Sequence, residues 1–339
     1  MDRYTNRIYD MKLAYYNGYE SFCYQNCLRI LLQAMGYNHP ELYINAAMTL
    51  QLQKKNGVIC FEFHDEMRGL LPNVHSNVVR IYEKEDANVI WEKNRTYLNE
   101  SHNPIIVGVD TYYLPYASNY KKNHAKHTLI LCGYDLTEDV VYVIDWYPTW
   151  FYRGKVKKDD FLKARSSRNE SDGTIYSGSP IENNWAYINR FDACASKDLM
   201  RELLKTSVVK FFSPICEEEG IEAIRKMCYE LKTDCNIDLN NSYQSMFAIV
   251  RRICFFTQYL KNYNDCYEEI IPKRLFEWLD ETRGAWEILQ FLFMKQLRSK
   301  KNSNLMKIVK QMESIYQKEK TIGVELQRIL EQYEVTSHL

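Results

Sequence analysis

Three residues carry types and positions that could do chemistry together: Cys23, His127 and Asp145. Cys23 opens a strongly helical stretch, CYQNCLRILLQAMG over 23–36. Cys27, Leu28, Leu31, Leu32 and Met35 recur there at helical spacing, and Gly36 supplies a stop. A thiol at a helix start meets unpaired backbone N–H groups and the positive end of the helix dipole, and both favour the thiolate. The same N–H groups suit the oxyanion that forms when sulfur attacks a carbonyl. A cysteine by itself is more often an inert core residue, so the reading depends on its company.

That company is His127 and Asp145. They bracket TLILCGYD, LTED and VVYVID, which read as strand, polar turn and strand. A hairpin register symmetric about residue 136 sets the two side chains directly opposite one another on one face. A carboxylate there holds imidazole in the tautomer that leaves its other nitrogen for a thiol. A one-residue slip would send them to opposite faces, so the register decides the case. Nearby, Asp110 follows a short β-branched run, Ile105 to Val109, and is followed by Tyr112, Tyr113 and Tyr116. A carboxylate ringed by phenols suits a cationic amino group; the alternative is a turn-forming or capping Asp. Lys121, Lys122 and Lys126 form a basic run that either docks an acidic partner or is a solvated loop. His124 and His127 have HxxH spacing and His64, Asp65 and Glu66 add further oxygen and nitrogen donors, but no three or four of these converge, so no metal site is expected.

The elements that must position these residues fall into two parts. Up to about residue 190 the pattern mixes strands and helices, with a Gly- and Ser-rich stretch at 166–179 that reads as an exposed loop. Beyond Ser196 it is almost wholly helical, over 196–212, 217–232, 241–263, 273–299 and 303–335, punctuated by Pro214 and Pro272. The expected organisation is an α+β domain over 1–192 and an all-α domain over 193–339. The helical part is expected to cover the site or dock partners.

Composition narrows the function. The 339 residues carry 44 Lys plus Arg and 44 Asp plus Glu, and zero net charge offers no global field for a nucleic-acid backbone or an anionic membrane. No apolar run reaches the length of a membrane span, and the first residues lack the basic-then-apolar pattern of a signal peptide. The ten cysteines are scattered without a CxxC pair, which fits free thiols in a reducing cytoplasm.

A cysteine at a helix start, then His on a strand and Asp on its neighbour, is the chain order of papain-like enzymes. Asn17, six residues before Cys23 and followed by Gly18, stands where such enzymes place an oxyanion donor; a turn is its plainer role. More specifically, three blocks resemble the papain-like N-terminal domain of the butirosin biosynthesis protein H family: FCYQNCLRILLQAMGY (22–37), VGVDTYYLPY (107–116), and HTLILCGYD with VYVID (127–135 and 141–145). Phe22 stands where that family is expected to have a His, and no Gly-rich stretch follows the first helix.

The resemblance implies a papain-like α+β fold and an acyltransferase. It would take an aminoacyl group from the phosphopantetheine thioester of an acyl-carrier protein and pass it to a small-molecule amine, in antibiotic biosynthesis. Carried over by position, Cys23 is the nucleophile, His127 the base and Asp145 its orienting carboxylate. No cofactor is implied beyond the phosphopantetheine on the donor protein. Two rival readings share these residues: a papain-like cysteine peptidase or amidase, and a non-catalytic binding protein on the same fold.

Overall fold

The computed structural model describes residues 2–337 apart from 12, 14–21, 45–47, 56–57, 63–70, 72, 83, 148–149, 173–175, 193–195, 234–236, 238 and 300–301. In chain order its elements are β1 (Arg3–Thr5), α1 (Cys23–Ala34), β2 (Gln51–Lys55), β3 (Val58–Glu62), β4 (Val78–Ile81), α2 (Ala87–Ser101), β5 (Ile105–Asp110), β6 (Lys126–Asp135), β7 (Val140–Tyr147), β8 (Trp150–Lys157), α3 (Lys158–Ser166) and β9 (Trp185–Ile188). The helices α4 (Lys197–Phe212), α5 (Gly220–Lys232), α6 (Leu239–Cys266), α7 (Lys273–Ser299) and α8 (Asn302–Ser337) follow. The fold is α+β, with an antiparallel sheet, as the sequence implies.

The chain forms two compact units, Met1–Asn45 with Arg68–Ala193, and Ala46–Met67 with Cys194–Leu339. In the first, seven strands make one sheet of order β4-β9-β5-β6-β7-β8, with β1 added beside β6. The central strand β6 is buried from His127 onward save for Thr128, so it reads as a continuous apolar run rather than an alternating one. Ile105, Val107, Leu129, Leu131, Val141 and Val143 pack with Ile90, Trp91 and Leu98 of α2 and Phe161 of α3. Helix α1 packs on β5 and β6. Its Leu28, Leu31 and Leu32 are buried, and Gly36 at φ 89° stops it as expected.

The β6–β7 pairing departs from the symmetric register. Ile130 faces Ile144 and Leu131 faces Val143, then a bulge at Cys132 resets the ladder so that Gly133 faces Tyr142 and Asp135 faces Val140. Carried past Ile130, that register sets Asp145 beside Leu129, two residues along from His127. A shift of two preserves side-chain parity, so His127 and Asp145 become diagonal neighbours on one face. Gly133 is required here: a Cβ would meet the Tyr4 carbonyl oxygen at 2.1 Å and Thr5 Cα at 2.8 Å, where β1 pairs with β6.

The stretch at 166–179 is better anchored than an exposed loop. Asn169 donates to the carbonyls of Tyr176 and Ser179, each at 2.9 Å, and Lys126 N donates to Tyr176 O at 2.9 Å. The described cysteines are free thiols.

The second unit differs in its boundary from the sequence expectation, because segment 46–67 belongs to it. The β2–β3 hairpin is stitched to the helices through its backbone: Leu52 N donates to Glu218 O at 2.7 Å, Gly220 N to Leu50 O at 2.8 Å, and Ser245 Oγ to Phe61 O at 2.8 Å. Phe61 meets Trp286 of α7 edge-on, with ring centroids 6.2 Å apart. Deep between α6, α7 and α8, Arg252 and Trp286 both donate to Glu319 Oε1, at 2.7 and 2.5 Å, and neither charged side chain is more than 1% exposed. No helix among the described residues is long and apolar enough to cross a membrane.

Candidate active site

Cys23 is the first residue of α1, and its N-cap, Phe22, has no side-chain capping bond to the first turn. The sulfur lies against His127 and Thr128 at the start of β6. Burial by itself would push the thiol up, but the charge and hydrogen bond of His127, helped by Thr128, bring it down to about 7. His127 shows the reciprocal effect. Burial opposes its charge, yet Asp145 and Cys23 together hold the imidazole well above its ordinary value. The two shifts have each other as a cause, so thiol and imidazole titrate as a coupled pair.

Asp145 completes the line. His127 Nε2 donates to Asp145 Oδ1 at 2.7 Å, and the two side chains are 5% and 0% exposed. With Nε2 engaged there, Nδ1 is the nitrogen left for Cys23. The other carboxylate oxygen, Oδ2, accepts from Tyr116 Oη at 2.9 Å. Tyr116 lies flat on Tyr152, with centroids 3.7 Å apart and planes within 5°, and Tyr152 is the cross-strand partner of Asp145. On the next residue of β7, Trp146 lies under the guanidinium of Arg29 from α1, at 5.9 Å. Sequence reasoning missed this arrangement around Asp145. The Tyr116 contact joins positions 29 residues apart, with no local spacing to reveal it.

Cys27, one turn along α1 from Cys23, is buried, and desolvation pushes its thiol well above the ordinary range. That agrees with its reading as a core residue. Asn17 lies outside the described residues, as do His64, Asp65 and Glu66. Despite their spacing, His124 and His127 pair with different carboxylates, Asp110 and Asp145.

Asp110 is engaged by the protein's own donors. It is fully buried, and its carboxylate takes four protein donors: Tyr112 N at 3.0 Å and Ala125 N at 3.1 Å on Oδ1, His124 Nδ1 and Ser167 Oγ, both at 2.6 Å, on Oδ2. Tyr112 stacks on His124 at 4.3 Å, and Tyr113 meets Tyr112 edge-on at 5.1 Å. The expectation of a cation-binding carboxylate ringed by phenols is therefore corrected: Asp110 caps the turn that follows β5 and ties it to residue 167. Of the basic run, Lys122 Nζ donates to Ser118 O at 3.3 Å and Lys126 Nζ to Pro180 O at 3.2 Å.

The arrangement sets a thiol at a helix start, an imidazole beside it and a buried carboxylate behind that. These are the parts of nucleophilic acyl chemistry. A search of curated proteins finds no match to this chain. Residues 23–146, the span that opens on Cys23 and closes just past Asp145, match the family model described as Butirosin biosynthesis protein H, N-terminal, the family that the sequence resembles.

Proposed function

We propose that the protein is a cysteine-dependent acyltransferase of secondary-metabolite biosynthesis, with a papain-like catalytic domain in its first unit. The observation that carries the reading is the pairing of a Cys23 thiol lowered to about 7 with a His127 held by Asp145. The family match supports a biosynthetic role, because the family is described by its part in butirosin biosynthesis.

The donor is an aminoacyl thioester on the phosphopantetheine arm of an acyl-carrier protein. Cys23 sulfur attacks the thioester carbonyl, the carbonyl π electrons move onto oxygen, and N–H groups of the first turn of α1 take the negative charge. The tetrahedral adduct collapses, the carbon–sulfur bond to the carrier breaks, and His127 gives its proton to the departing thiolate. A small-molecule amine then attacks the Cys23 acyl-enzyme. His127, now neutral, takes the amine proton, the Cys23 thiolate leaves, and the amide is released. Asp145 holds the ring through both steps and stabilises it when charged. Transfer rather than hydrolysis requires the acceptor to outcompete water at the acyl-enzyme.

The test is intact mass spectrometry after incubation with an aminoacyl carrier protein. Wild-type chain gains the acyl mass and Cys23→Ala gains none, with turnover down by about 10⁴-fold or more. An adduct persisting in Cys23→Ala overturns the assignment. Adding amines and peptides separates transfer from peptidase or amidase action, because only transfer moves the acyl mass onto the amine.

A further inference from the structure

In the block VGVDTYYLPY, Asp110 and Tyr116 have no task in the reaction above, and each is accounted for by what it touches. Asp145 is buried, and its two oxygens are divided between two side chains: Oδ1 to His127 and Oδ2 to Tyr116. The phenol keeps its proton, since burial and the neighbouring carboxylate push it well above its ordinary value, so it is a permanent donor. Its ring is clamped face-on against Tyr152, the residue paired with Asp145 across the β7–β8 ladder. Upstream, Asp110 caps the short 3-10 turn Thr111–Tyr113. Leu114, fully buried, then anchors the chain just before Tyr116. The four donors on Asp110 thus fix the turn that presents the phenol.

We infer that Tyr116 is a positioning residue of the Cys23 reaction, acting through Asp145, and that the Asp110 turn exists to aim it. The inference rests on the reading of Cys23, His127 and Asp145 as one site. A buried carboxylate oxygen without a donor is costly, and a carboxylate so stripped takes a proton more readily. It then competes with His127 for the proton that the imidazolium carries, the imidazolium weakens, and the Cys23 thiolate loses its counter-charge. The Tyr116 hydroxyl therefore favours the charged pair through Asp145, two contacts from His127.

The experiment follows alkylation of Cys23 by iodoacetamide against pH, read by peptide mass so that the exposed Cys216 is distinguished. It needs no acyl donor, so its failure is separable from failure of the acyl-transfer assay. In Tyr116→Phe the ring and its stack on Tyr152 remain, and the inflection is expected to rise by about one pH unit, a tenfold loss of thiolate at fixed pH below it. In the acyl-transfer assay kcat falls about tenfold with KM for the donor unchanged. In an Asp145→Asn background the same substitution adds no further shift, since its effect passes through that carboxylate. Thermal unfolding of each variant identifies any that has lost its fold, in which case Tyr152→Ala, which removes the clamp and spares the hydroxyl, gives the second reading in the same direction. An unchanged alkylation profile in folded Tyr116→Phe overturns the inference. So does an undiminished shift in the Asp145→Asn background, or a raised KM at constant kcat, which makes Tyr116 a ligand contact.

Discussion

At the scale of single residues, the chemistry of Cys23 is set by two opposed effects of similar reach. Burial raises a thiol, and a neighbouring imidazolium lowers it. Here the second wins. The sign of the pH dependence follows: alkylation of Cys23 is expected to grow as pH rises through about 7, the value to which His127 brings the thiol down. His127→Ala removes the counter-charge and leaves burial unopposed. The inflection is then expected beyond the free-thiol value of roughly 8.5, and the alkylation rate at pH 7 falls about tenfold or more. A rate-against-pH series on the two chains measures this, and identical inflections would contradict the pairing. The three residues were legible in the sequence because each sits at a recognisable landmark, a helix start or a hairpin end. Asp110 was not. The same residue type after a strand can serve a ligand or a turn, and the Ser167 that decides between them lies 57 positions away.

At the scale of elements, the hairpin was legible and its register was not. The strand–turn–strand pattern over 127–145 announces the pairing, but a bulge at Cys132 has no signature stronger than the glycine that follows it. The symmetric register was wrong by two residues, and an even error keeps both side chains on one face. Gly133→Val tests that corner. Its side chain would drive into the backbone of Tyr4 and Thr5, so equilibrium urea unfolding should show a loss of about 1–3 kcal/mol. Stability equal to wild type would mean that β1 does not close against the bulge. Helix α2 left little trace in the sequence for a related reason. Its buried face runs Ile90, Trp91, Asn94 and Leu98, and the polar Asn94 breaks the apolar stripe. Its amide oxygen is used inside the fold, where it accepts from Arg165 at 2.6 Å.

At the scale of the whole molecule, the long helical segments were readable from their period, since five amphipathic runs in succession leave no alternative to an all-α region. What the pattern did not reveal is that this region borrows a hairpin from earlier in the chain. Hairpin pairing with distant helices is a contact at long range, and periodicity reports only local geometry. The same unit encloses a buried ion pair whose partners come from α6 and α8. Glu319→Ala leaves Arg252 charged and unpartnered in the interior, a change that should cost about 3–5 kcal/mol in chemical denaturation of the intact protein. A cost below about 1 kcal/mol would show that water reaches Arg252 and that the pair is not a dry one.

The borrowed hairpin also imposes an order of events on synthesis. Residues 48–62 leave the ribosome before most of the sheet unit exists, while the helices that cover Leu52, Ile59 and Phe61 are translated only after that unit. At roughly 5–20 residues per second the nascent chain carries this apolar ribbon uncovered for on the order of ten seconds or more. Until then Leu52, Ile59 and Phe61 lack the partners that bury them in the finished fold.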